Sequence, residues 1–239
     1  MSAWEIYDRL IDAVSDDDTV CSVTCGNSWT RVVTRGGKIG IAAAQEGDRK
    51  KTQALVGLSL RDAARQIKSW DFALASAAQA AINAQLNQAD RFQECGEPDA
   101  FLRYRDMCRG KKVCVVGHFA YLENRLKEIC DLYVLERKPS GIDYPDPACE
   151  YLLPEADVCF ITASALTNKT MPRLLALSGN AFTVISGPST PMDEILFSFG
   201  ADALCGFCVT DPRKCDDALL DCGKLFDSGK MVCAERRTK

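Results

Sequence analysis

The sequence predicts an α/β protein with two unlike halves. Two observations carry that expectation. The first hundred or so residues mix helical spacing with three short alternating strands, whereas the remainder repeats continuously apolar runs separated by helix-length stretches. The change of pattern falls at Arg109–Gly110, and 239 residues suffice for two domains, expected as 1–109 and 110–239.

Taken in order, residues 2–14 place Trp4, Ile6, Tyr7, Leu10, Ile11 and Val14 near one helical face, until Asp16, Asp17 and Asp18 break the pattern. TVCSVTCG, WTRVVT and KIGIAAA, punctuated by Gly-Asn and Gly-Gly, predict a three-stranded antiparallel meander over Thr19–Ala44. A helix follows over Ser59–Ser69, opened by Ser59 with Asp62 three residues on. An Ala-rich helix then runs from Asp71 to Ala89. In the second half KKVCVVG, DLYVLE, ADVCFIT, AFTVIS and ADALCGFCV have the unbroken apolar character of buried parallel strands. Helical stretches at Tyr121–Cys130 and Lys169–Ser178 complete the pattern of a doubly wound sheet.

Composition narrows the function classes. With 47% hydrophobic and 26% charged residues the chain can build a core. Its 29 basic against 33 acidic residues oppose a broad nucleic-acid surface, which needs a clustered basic excess. No apolar run approaches the ~18 residues of a membrane span. The acidic N-terminal stretch is unlike a signal peptide. A soluble, cytoplasmic protein is expected, with no nucleic-acid or membrane partner. Thirteen cysteines, an odd number, fit a reducing compartment better than a disulfide scaffold. Cys205, Cys208, Cys215 and Cys222 resemble a metal or cluster set. However, thiols three apart in a strand point to opposite faces, so convergence would need a turn at Gly206. Cys21 and Cys25 are expected to share a strand face in a structural role.

Ligands of an open parallel sheet bind beyond the carboxyl ends of its strands, so the residues ending each run are the candidates. The first strand ends in Gly117-His118-Phe119 and the second in Glu136-Arg137. The third ends at Thr162 and continues to Asn168-Lys169-Thr170, and the fourth ends in Gly187-Pro188-Ser189-Thr190. Glu136 lies 19 residues beyond Gly117, as a ribose-binding acid does, yet GHFAYLEN has one glycine where the dinucleotide fingerprint has three. His118 is the only histidine, placed at a strand-to-helix turn where it could ligate a metal or exchange protons. Glu136 could orient it or join it as a second ligand, or pair instead with Arg137 or Lys138. TNKT and GPST each precede an expected helix with Pro172 or Pro191 near its first turn, as anion sites or as N-caps through Thr170 and Thr190. Asn83, a buried amide in the Ala-rich helix, either bonds the meander or reaches a pocket between the halves.

GNSWTRVV, KIGIAAA, GLSLRDAARQIKSWDF and AAINA in the first half, with VVGHF, VLERKP, LLPEADVCFITASALTNKTMPRLL and VISGPSTPM in the second, resemble the putative heavy-metal-chelation family. The resemblance implies an enolase N-terminal-like α+β domain followed by a Rossmann-like domain, with the site between them. It carries over Asn83, Gly117, His118, Glu136, Thr162, Asn168, Thr170, Gly187, Ser189 and Thr190 as pocket residues. Enolase chemistry does not follow, since it needs a barrel this chain lacks. Three functions are in play. One is handling of a metal or a metal-bearing small molecule, with a transition-metal ion held by His118 and Glu136. Another is an enzyme binding S-adenosylmethionine or NAD through Glu136. The last is a Cys-ligated cluster protein. A homodimer is the oligomer expected for this class.

Overall fold

The computed structural model describes residues 2–97, 99–119, 122–219 and 222–237, with the backbone alone for 122, 123 and 222. Helix α1 (Glu5–Asp12) buries Ile6, Tyr7, Leu10 and Ile11. The meander β1 (Val20–Cys25), β2 (Trp29–Thr34) and β3 (Ile39–Ala43) is antiparallel in the order β1-β2-β3. A bulge between Val20 and Ser22 shifts the β1 register. Cys21 consequently faces solvent, while Cys25 lies half-buried beside Thr52, so the expected shared face is lost.

Helix α2 (Leu60–Arg65) starts where the capping pattern put it, with the Asp62 amide donating to Ser59 Oγ at 3.1 Å. Helix α3 (Phe72–Leu86), capped by Asp71, is buried along almost its entire length. A run of alanines gives it high helix propensity and a slim profile, so neighbours close in on every side. The meander lies directly on it. A Cβ at Gly40 of β3 would sit 2.0 Å from the Ala80 carbonyl oxygen, so only glycine permits that approach.

The second sheet has eight strands. In chain order its elements are β4 (Gln93–Glu94), α4 (Ala100–Arg103), α5 (Arg105–Cys108), β5 (Lys112–Val116), α6 (Leu122–Leu126), β6 (Asp131–Glu136) and β7 (Tyr144–Pro145). There follow α7 (Cys149–Leu152), β8 (Val158–Thr162), α8 (Ser164–Thr167), α9 (Met171–Leu177), β9 (Phe182–Ser186), β10 (Ala203–Val209), α10 (Pro212–Ala218) and β11 (Gly229–Glu235). The spatial order is β4-β11-β10-β9-β8-β5-β6-β7. Neighbours from β10 through β7 are parallel, whereas β11 and β4 are antiparallel. The parallel part therefore runs third-second-first-fourth-fifth-sixth, the order of dinucleotide-binding doubly wound sheets.

Strand alternation divides this sheet between two cores. Val113, Val115, Val158, Phe160 and Val184 pack with Phe101, Tyr104 and Leu126 on one face. Cys114, Val116, Cys159, Ile161 and Ile185 face the other way and share a core with Ile6, Leu10 and Ile82 of the first half. One face of the sheet is thus roofed by the meander unit.

The expected helix over Tyr121–Cys130 spans 122–126, and Tyr121 lies outside the described residues. The one expected over Lys169–Ser178 spans 171–177 with Pro172 in its first turn. The helix expected after GPST does not start at Pro191. A 3-10 segment, Glu194–Phe199, begins three residues later and is capped by Asp193. Cys205 and Cys208 point to opposite faces of β10, one in each core, so they do not converge on one ion. The Cys222 side chain lies outside the described residues.

Candidate functional site

A cavity of about 560 Å³ opens where the carboxyl ends of β5, β6, β8 and β9 meet the first half of the chain. Gly117, His118, Glu136, Thr162, Asn168, Thr170, Gly187 and Ser189 line it. Trp29, Gln45, Glu46 and Phe72 close it from the meander side. The remaining two expected residues, Asn83 and Thr190, stand behind the wall.

Gly117 turns the chain out of β5 with φ +102°, and its missing side chain leaves room for the Thr162 methyl, which a Cβ would approach to 3.0 Å. His118 follows. Its imidazole Nδ1 lies 3.0 Å from Asp143 Oδ1, and Nε2 has no partner among the described residues. Asp143 was not among the residues singled out from the sequence. The Asp143 side chain is shut off from solvent, which favours its neutral form. Hydrogen bonds from His118 and Ser140 outweigh that effect and hold the carboxyl below its usual range. A carboxylate that fixes one ring nitrogen and frees the other is the arrangement that orients metal-binding or proton-transferring histidines.

Glu136 does not play that part. Its Oε2 accepts the His118 backbone N–H at 3.0 Å, and Oε1 accepts those of Arg137 and Lys138 at 2.8 and 3.1 Å. The carboxylate therefore ties the turn after β5 to the turn after β6. Neither orientation of the imidazole nor pairing with the Arg137 or Lys138 side chains occupies it. Lys138 reaches across the cavity mouth to Glu46 of the first half. Hydrogen bonding to that ammonium holds Glu46 below the ordinary carboxylate range.

The two hydroxyl-rich turns differ. In 167–170 Asn168 Oδ1 accepts the Thr170 N–H at 3.1 Å and its hydroxyl at 2.6 Å, so Thr170 caps no helix through its side chain. In 187–190 the Thr190 hydroxyl donates to the Gly187 carbonyl at 2.7 Å, and Ser189 Oγ accepts the Ala43 N–H at 2.8 Å. Three side-chain amides of α3, spaced four residues apart on one stripe, seize the backbone of this second turn. Gln79 donates to the Ser189 and Ala163 carbonyls at 2.9 and 3.0 Å. Asn83 donates to Ser189 and Ile41 at 2.9 and 2.8 Å. Asn87 donates to Thr190 and Phe207 at 2.8 and 3.2 Å and accepts from the Met192 N–H. Asn83 thus bonds the meander and the pocket wall at once. Gln79 and Asn87 were missed, although polar residues four apart in an otherwise apolar helix are a legible signal.

As a metal site the donor set is incomplete. Among the described residues no three His, Cys, Asp or Glu side chains converge on a point where an ion could sit. His118 Nε2 is one free donor, and the oxygens of Glu136 already accept three N–H groups.

The comparisons follow the same division of the chain. Residues 99–233 match the DUF364 family and residues 7–86 match DUF4213, both described as putative heavy-metal chelation. An uncharacterised protein of Methanocaldococcus jannaschii is 32% identical over 176 residues, which span 70% of this chain and 66% of that protein. A crystal structure of a DUF364-family protein of unknown function from Desulfitobacterium hafniense DCB-2 superposes with a TM-score of 0.88 at 37% identity, covering 98% of this chain and 99% of that one. Another of unknown function, from Pyrococcus horikoshii, shares the fold with a TM-score of 0.80 at 20% identity, over 99% and 100% of the two chains. No helix among the described residues is long and apolar enough to cross a membrane. Sequence and fold agree over nearly the full length, and the chain belongs to the DUF364 family of putative heavy-metal chelation.

Proposed function

We propose that this chain handles a metal as cargo, delivered to the cavity between residues 1–109 and 110–239 inside a small organic chelator. The His118–Asp143 pair carries the proposal, because it offers one oriented imidazole nitrogen at the cavity wall. One protein donor is too few for a bare ion, but it suits an ion whose other positions are filled by its own ligand. A volume of about 560 Å³ accepts such a complex. The family description is in keeping with this role. The pocket residues named above would then contact the chelator, with Asn83 and Thr190 supporting the wall.

Elemental analysis of protein purified without oxygen tests this, with His118→Ala beside the wild type and mass spectrometry of the acid-released small molecules. Near-stoichiometric metal accompanied by an organic ligand is expected in the wild type. The variant should lose it while keeping its circular dichroism spectrum. Metal retained in the variant, or released with no organic partner, would sink the proposal.

The strand order favours a second reading, a nucleotide-type cofactor such as S-adenosylmethionine or NAD held through Glu136. The three N–H groups already on Glu136 weigh against it. Calorimetric titration with either cofactor, beside Glu136→Gln, decides between them.

A further inference from the structure

Lys169 is the one non-glycine residue with positive φ among the described residues, at +70°. That conformation costs a side-chain-bearing residue energy and persists only where the surroundings impose it. Its neighbours Asn168 and Thr170 line the cavity. Its own side chain folds back so that Nζ donates to the Thr167 carbonyl and lies over two aromatic rings, 5.5 Å from the centre of Phe72 and 5.9 Å from that of Trp70. Phe72 is part of the cavity wall. No carboxylate pairs with this amine among the described residues. Arg137, which also lines the cavity, sets its guanidinium 5.8 Å from the centre of the same Phe72 ring and likewise has no acidic partner among them.

A half-buried ammonium without a counter-ion is an unusual arrangement for a merely structural lysine. Partial burial lowers the Lys169 amine to about 8, despite the attraction of the two rings for a cation. Near neutral pH a substantial part of it is therefore free base. Such an amine can donate one N–H to the Thr167 carbonyl and still present its lone pair.

We propose that Lys169 is a nucleophilic amine of this cavity, forming an imine with a small carbonyl compound whose acidic group is met by Arg137. The neutral Nζ adds to the carbonyl carbon, making the C–N bond. The carbonyl oxygen then leaves as water with the two amine protons, and hydrolysis reverses the step. This goes beyond the metal reading and does not require it, since neither Lys169 nor Arg137 contacts His118.

The test uses glyoxylate, the smallest compound carrying both groups, with sodium cyanoborohydride to fix the imine and peptide mapping to locate it. At pH 7.5 Lys169 should be labelled about ten-fold faster than surface lysines such as Lys138, since an ordinary lysine is almost wholly protonated there. The rate should saturate with glyoxylate concentration and rise through about pH 8 to a plateau. Arg137→Gln should raise the half-saturating concentration. Trp70→Ala, at a site 70% exposed, should hydrate the amine and slow its labelling several-fold at pH 7.5 without unfolding the chain. Labelling of Lys169 that is no faster than that of Lys138, or that rises linearly with glyoxylate, would overturn the proposal. Metal loss in His118→Ala is read separately, so the two ideas fail independently.

Discussion

The turns 167–170 and 187–190 have nearly the same composition and follow adjacent parallel strands, yet they do opposite things. The second is pulled inward. Its Ser189 and Thr190 are buried, and Gln79, Asn83 and Asn87 hold their carbonyls. The first is closed mainly by its own Asn168, and it carries the strained Lys169 at the cavity edge. What separates them is the covering helix. A turn whose backbone is bonded by buried amides becomes part of the wall, and a turn left to bond itself can present side chains to a ligand. The contrast also shows why hydroxyl content alone is poor evidence of an anion site.

Substitutions that take away one partner at a time sharpen this contrast. The largest effect is expected for Asn87→Leu, which strips the Thr190 and Phe207 carbonyls and the Met192 N–H of buried partners. A loss of about 3 kcal/mol should appear in urea unfolding. Ser189→Ala removes only the acceptor of the Ala43 N–H and should cost about 1 kcal/mol by the same measurement. In the outer turn Lys169→Gly relieves a left-handed lysine while loosening the unfolded chain, so stability should stay within about 1 kcal/mol of wild type. A Lys169→Gly loss as large as that of Asn87→Leu would erase the distinction between the two turns.

Much of the fold was legible because its signals are local. The Ser59 cap, the alternating runs of β1 to β3 and the unbroken runs of β5 to β10 each reflect their immediate surroundings. Strands β4 and β7 are two residues long and lack any period, and β11 pairs at a distance no local pattern encodes. The site was legible in position more than in chemistry. The strand-end rule brought eight of its residues to one cavity. Spacing could not reveal that Asp143, from a loop without periodicity, takes the imidazole while Glu136 turns to backbone amides. Nor could it reveal the left-handed Lys169, because backbone conformation at one residue leaves no trace in composition.

The amide stripe on α3 has a consequence for synthesis. Asn87 leaves the ribosome about 100 residues ahead of Gly187, which at roughly 5–20 residues per second is a delay of about 5–20 s. Through that interval the helix has its meander but none of the strand-end carbonyls that satisfy Gln79 and Asn87. The first half of the nascent chain must therefore wait for β9 before its most buried helix can settle, and this binds the birth order of the chain to the assembly of its cavity.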